Sequence, residues 1–275
     1  MHHFTYRLSA SIVALCLGVA AALGGQDLPT STVEHGAFAF PDVAGTRLLA
    51  ASTVSQPESL KTAICGGKVR GPVVYERRQA DRPGGTSRQT PRNFAYEAGT
   101  VYRLTTGKLE ERDTCFLATD SLLAGATVVP LIDPGQAKAC TSAQRRHLAS
   151  LRNRQVVNCW VLAHLEKTEQ IVLAEFARER IYALASVVLM ESDRSIFADF
   201  TAAYRGEGQG LWRVDDGGVL SPADFKVMFV LERGTFRAVA LNWSGAEGAN
   251  LSLFVADRGN RFAKVIADYW YRAPM

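Results

Sequence analysis

The chain has 275 residues, 47% of them hydrophobic and 21% charged, with a formal net charge of +4. This is ordinary globular composition: it excludes a disordered or collagen-like chain and leaves room for one large β-rich domain or two small ones. Beyond the first 25 residues no stretch is apolar and long enough to cross a bilayer as a helix.

Residues 1–25 read as a secretory signal peptide. Arg7 supplies the positive start, Leu8 to Leu23 is apolar and uncharged, and Ala22-Leu23-Gly24 offers small residues for cleavage. Removing that peptide takes Cys16 and leaves Cys65, Cys115, Cys140 and Cys159. An even count in an exported chain predicts two disulfides and a secreted or periplasmic location. Three connectivities are possible. Cys65–Cys115 with Cys140–Cys159 is preferred, because each bridge then closes over a polar stretch. With no C-x-x-C pair and no nearby histidine, the four cysteines do not read as a metal site, and no cofactor motif is present.

Residues 26–154 form a β-rich segment with two short helices. Residues 26–54 carry turn formers at Pro29, Gly36, Pro41 and Gly45 and read as an extended arm, with one strand near Thr46–Ala51. Pro57 and Glu58 then predict a helix over 57–64 that stops at Gly66-Gly67. Residues 76–93 hold Arg77, Arg78, Arg82, Arg88 and Arg92 around Pro83-Gly84-Gly85 and almost nothing apolar, so a mobile loop is expected. Strands follow at Phe94–Tyr96, Val101–Leu104, Glu110–Ala118 and Ala126–Leu131. Residues 65–154 contain 15 Lys/Arg against 8 Asp/Glu, so the basic excess lies here.

A helical period appears over 142–153. Ala143, His147, Leu148 and Leu151 share one face, while Arg145, Arg146, Arg152 and Arg154 lie largely off it. These four arginines are the predicted anion-binding residues, for an anionic glycan, a membrane surface or a protein; a nucleic acid is not expected. The plainer reading is a surface helix with solvated arginines.

Residues 155–275 predict an antiparallel meander. Val157, Cys159, Val161, Ala163 and Leu165 alternate with Asn158, Trp160 and His164, and paired strands follow at 171–177, 181–190 and 195–204. Residues 213–225 compare poorly with a calcium loop, since Arg213 and Gly217 stand where carboxylates are needed. They read better as a turn before a short helix at 221–226, with Ser221 as N-cap and Pro222 as first residue. Two similar hairpins close the chain: Phe229-Val230, Arg233-Gly234 and Ala238 recur 25 residues later as Phe254-Val255, Arg258-Gly259 and Ala263. The fold class expected is mainly β, α+β at the margin, with the meander packed as a sandwich or barrel-like sheet and continuous with the preceding segment as one domain.

No G-x-S-x-G elbow is present, and His35, His147 and His164 have no nucleophile and carboxylate beside them in sequence, so no catalytic residue is assigned. The function expected is an exported, non-catalytic binding or scaffold domain. The alternatives are a secreted hydrolase of glycans or esters, and a barrel carrying a small apolar ligand.

Overall fold

Along Gly36–Pro41 (β1), Ala37 and Ala39 face one way and Phe38 and Phe40 the other. That alternation of small and large residues shapes the first half of the molecule. In the computed structural model, which describes residues 35–165, 168–203, 212, 219–245 and 247–272, β1 closes a six-stranded barrel. Its other strands are Arg47–Ala50 (β2), Leu60–Cys65 (β3), Lys68–Gln79 (β4), Gly99–Leu104 (β5) and Cys115–Thr119 (β6), in the order β1-β2-β5-β4-β3-β6. So few strands leave a narrow interior, and small residues suit it. Ala37, Ala39, Ala50 and Ala63 point inward with Leu48, Leu117 and Tyr102, all at most 4% exposed, so the interior is filled by side chains.

The arm expected over 26–54 therefore contributes two barrel strands. Gly45 permits the turn between them: its φ is +70°, and a Cβ there would lie 2.2 Å from the Leu109 carbonyl oxygen. The helix expected over 57–64 is a single 3-10 turn, Pro57–Ser59, followed directly by β3. Proline set the first turn as expected, but Leu60, Ala63, Ile64 and Cys65 are needed by the barrel, and tertiary burial overrode local propensity. Phe94–Tyr96 is a turn after the 3-10 helix Pro91–Asn93 rather than a strand. A four-residue helix, Asp120–Leu123 (α1), follows β6.

Three short strands come next: Thr127–Val129 (β7), Leu131–Ile132 (β8) and Lys138–Ala139 (β9). Helix α2, Ser142–Arg152, starts from a capping box in which Thr141 and Gln144 satisfy each other's backbone N–H groups. It ends at Asn153 in the left-handed conformation. The strands Val156–Leu165 (β10), Gln170–Glu179 (β11), Tyr182–Met190 (β12) and Ser195–Ala203 (β13) then run as a meander, to which β8 and β9 pair on the β10 side. A second meander, Phe225–Arg233 (β14), Phe236–Ser244 (β15), Gly248–Ala256 (β16) and Phe262–Tyr271 (β17), takes β7 on its β14 edge. The helix expected at 221–226 is one 3-10 turn, Pro222–Asp224, with Ser221 Oγ accepting from the Ala223 N–H as its cap. Residues 213–218 of the compared calcium loop lie outside the described residues, as does the signal peptide.

The β14–β17 sheet is the central layer. One face packs on the barrel through Phe229, Leu231, Leu251, Leu253 and Trp270 against Phe38, Phe40 and Phe116. The other packs on the β10–β13 sheet through Val227, Val230, Val239 and Phe254 against Leu173, Val187 and Ile196. Leu148 of α2, fully buried, covers the outer face of that second sheet with Phe176 and Phe197. Two β-bulges fit strands to these layers. At Met228–Phe229 both side chains turn to the barrel. In β10 the register shifts between Val161 and Ala163, so the single apolar face expected there is divided: Cys159 and Val161 face α2, whereas Ala163 and Leu165 face the central sheet.

Both closing hairpins form, but they are not equivalent. Phe229 faces the barrel and Phe254 faces the opposite sheet. The first turn is a two-residue loop with Gly234 at φ +53°, the second spans residues 257–261. Cys65–Cys115 joins β3 to β6 inside the barrel, and Cys140–Cys159 ties the start of α2 to β10, the pairing preferred from sequence. Two bridges suit an oxidising, extracytoplasmic compartment.

Candidate binding cleft

The arginines of α2 are mostly occupied by the chain itself. Arg145 Nη2 donates to the carbonyls of Val156 and Val157, at 3.1 and 2.8 Å. Arg154 donates to Ala177 O at 2.5 Å and Tyr182 O at 2.9 Å, and lies 3.6 Å from Glu179. Arg152 pairs with Asp199, and its guanidinium stacks 4.0 Å from the centre of the Phe197 ring. Arg145 and Arg154 fasten this segment to strand-end carbonyls that need donors, and Arg152 fastens it to a carboxylate in the middle of β13. Arg146 alone is exposed with no hydrogen bond or ion pair among the described residues. The four do not converge on one point.

The Arg-rich stretch 76–93 is also built in. Glu76–Gln79 belong to β4. The remainder, expected to be mobile, is held by its polar groups: Gln79 Nε2 donates to Phe94 O and Glu97 O at 2.6 and 2.8 Å, and Asn93 Nδ2 to Thr86 Oγ1 and Arg88 O. Gln89 pairs through backbone and side chain with Tyr271 at the end of β17. A loop without a hydrophobic core is thus ordered by buried side-chain amides.

Concavity occurs elsewhere. A cleft of about 440 Å³ opens where α2, the β12–β13 turn and the β16–β17 turn meet. His147, Leu151 and Arg152 come from α2, Glu191 to Ser195 from the turn and the start of β13, and Gly259 to Arg261 from the second closing hairpin. Only Arg152 among the predicted anion-binding residues lines it. His147 Nε2 lies 3.5 Å from Ser195 Oγ.

A buried ion network forms its base. Glu191 pairs with Arg194 and lies 2.6 Å from Arg237 Nε. The Glu191 and Arg237 side chains are only 5% and 8% exposed. Arg237 also donates to Gly234 O and Phe236 O and lies 3.4 Å from Glu232, while Arg194 donates to Thr235 O at 3.1 Å. The first closing hairpin turn and the β12–β13 turn are thereby tied together. The Glu191 carboxylate, accepting from Arg194, raises that guanidinium's pKa further above its usual value. Toward solvent, Asp199 accepts from Ser186 Oγ at 2.6 Å, pairs with Arg152 and lies 3.9 Å from Arg261. Arg152 Nε is buried with no hydrogen-bond partner among the described residues.

Arg237 had a sequence signal, a lone arginine in the apolar run Phe236–Trp243. Arg194, Ser195 and Arg261 had none, because their turns are remote in sequence from α2.

Other polar groups are structural. Trp270 Nε1 donates to Asp268 at 3.0 Å, and burial raises the Asp268 pKa. Burial lowers Arg272 to about 10; its Nη2 donates to Thr114 Oγ1. Burial also lowers His35. His164 pairs through its backbone with the edge of β8. Of the aromatics, Trp270 is core and Trp243 stacks on Phe225. No cluster of three or more His, Cys, Asp or Glu side chains suited to a metal ion occurs among the described residues. Comparison with protein-family models, curated proteins and solved structures gives no match to this chain.

Proposed function

We propose that this protein is an exported, non-catalytic binding domain, delivered by cleavage of the signal peptide read at residues 1–25, and that its cleft holds the ligand. The carrying observation is the convergence of His147, Arg152, Arg194 and Arg261 from three separate segments on one concavity with a rigid ionic base. Placing that many polar side chains around a hollow is typical of ligand sites, where a few fixed groups orient a small molecule. The filled barrel interior speaks against an apolar ligand carried there. A docking role for α2 through Arg145 and Arg154 is likewise weakened, because a partner's anion would have to displace bonds that hold the helix in place.

The Ser195–His147 contact favours a second reading, a hydrolase of esters or glycan esters, since a serine hydroxyl beside an imidazole is the start of a nucleophilic site. Against it, Ser195 is only 7% exposed and no carboxylate bonded to His147 is found among the described residues.

Ligand-observed NMR with a library of small neutral and anionic fragments tests the first reading, using Leu151→Trp to fill the cleft. Hits that compete with one another and vanish in Leu151→Trp are expected. Hits indifferent to that substitution overturn the cleft, and turnover of an ester fragment that is lost in Ser195→Ala overturns the non-catalytic assignment.

A further inference from the structure

We infer that the cleft takes a small hydroxylated monocarboxylate, of which a sugar acid is the plainest example; this rests on the binding-domain reading above. One cation in the cleft has donors available to such a ligand. Arg261 is 69% exposed and reaches Asp199 only at 3.9 Å, beyond hydrogen-bond distance, so its guanidinium keeps donors for a carboxylate in bidentate geometry. Arg152, held by Asp199, lines the cleft beside it and adds positive charge.

The charges around the cleft disfavour a dianion. Arg152, Arg194 and Arg261 stand against Glu191, Asp193 and Asp199, and Arg237 beneath Glu191 is matched by Glu232 at 3.4 Å. The loosely held Arg261 can meet one carboxylate charge. A phosphate dianion would bring its second charge beside Asp193 and Asp199 without a cation for it. Hydroxyls are matched by Ser195 Oγ, which can accept and donate, and by His147 Nε2 3.5 Å away, which does one or the other according to its tautomer. Leu151, 49% exposed, offers the apolar contact that the face of a sugar ring presents. At about 440 Å³ the cleft has room for a compact molecule and lies near the lower end of small-molecule pockets, roughly 300–1,000 Å³.

Arg261 is the discriminating residue. Its backbone is held by the turn, with Arg261 N and Gly259 N both donating to Asp257 Oδ1, while among the described residues the guanidinium has no contact beyond the distant one with Asp199.

Isothermal titration calorimetry on the full chain with D-glucuronate, D-glucose and glucose 6-phosphate, for the parent, Arg261→Ala and Leu151→Trp, tests the inference. Glucuronate is expected to bind at least about tenfold more tightly than either other sugar, and Arg261→Ala to lose about tenfold, the scale of one charge-assisted bond. Raising the salt concentration should weaken glucuronate binding in the parent and much less in Arg261→Ala. Equal affinity for glucose, tighter binding of glucose 6-phosphate, no detectable heat with glucuronate, or an unchanged Arg261→Ala isotherm each overturns the monocarboxylate. Glucose binding that Leu151→Trp abolishes overturns the monocarboxylate while leaving the cleft as the ligand site. Glucuronate binding that survives Leu151→Trp removes the cleft itself.

Discussion

Two carboxylates in this molecule each gather several arginines, one on the barrel wall and one beneath the cleft. Glu76 on β4 meets Arg47 at 2.9 Å, Arg103 at 3.2 Å and Arg77 at 3.4 Å, and those three side chains are 43–48% exposed. Glu191 meets Arg237 and Arg194 with its own side chain 5% exposed. The two clusters look alike as charge diagrams. They differ in solvent, and solvent sets what each is worth. Water already stabilises the barrel-wall arginines, so closing their pairs gains little. At the cleft the ions have lost their hydration, and each depends on the other for compensation. The first cluster decorates a surface; the second joins the β12–β13 turn to the first closing hairpin turn beneath a concavity.

The comparison breaks most decisively at Glu191. Glu191→Ala leaves Arg237 buried without its nearest counter-ion, and a loss of about 3–5 kcal/mol in unfolding free energy is expected from urea denaturation. A loss below about 1 kcal/mol would place the pair among surface ion pairs and remove the rigid base from the cleft. The matched substitution, Glu76→Ala, should cost no more than about 1 kcal/mol at low ionic strength and less as salt is added. A larger, salt-insensitive loss would show that the barrel wall relies on Glu76 as the cleft relies on Glu191.

The sequence carried different amounts of information about these two halves. In residues 155–275 the strands are long, β-branched and alternating, and β11, β12, β13 and the closing hairpins emerge near their expected bounds. The disulfide pairing preferred from sequence, on the ground that each bridge closes over a polar, flexible stretch, also forms. The barrel was harder to read. Gly36–Pro41 and Arg47–Ala50 are short and joined by a tight glycine turn, so residues 26–54 showed no period although Phe38, Phe40, Leu48 and Leu49 are fully buried. Pro57-Glu58 carried a genuine helix-start signal that the barrel cut off after one turn. In β10 the bulge near Leu162 inverts the face, which periodicity alone does not encode.

The site was less legible than the fold. A helical wheel identifies which arginines leave the apolar face of α2 but not what waits there. Arg145 and Arg154 find strand-end carbonyls, and Arg152 finds Asp199, 47 residues away. Cleft residues Arg194 and Arg261 lie in turns that look like solvent-exposed punctuation until the two sheets stack. Arginine clusters in sequence therefore measured demand for internal acceptors as much as any external anion.

Asp268 sharpens the contrast by removing the cation. It shares the inward face of β17 with Trp270, and it accepts from Trp270 Nε1 at 3.0 Å and from the Tyr269 backbone. Burial raises its pKa, and these neutral donors only partly offset that shift. The direction fixes the pH dependence. A carboxyl whose folded pKa lies above its unfolded one favours the folded state fully below the unfolded pKa, and that advantage is lost as pH rises through the folded value. Asp268→Asn keeps an oxygen to accept from Trp270 but has no charge to bury. The variant should therefore melt at a slightly higher temperature than the parent at neutral pH, and the gain should vanish below the ordinary carboxylate range. A gain that persists in acid, or a neutral-pH loss, would mean that the charged form of Asp268 is compensated as Glu191 is, by a cation outside the contacts described for it.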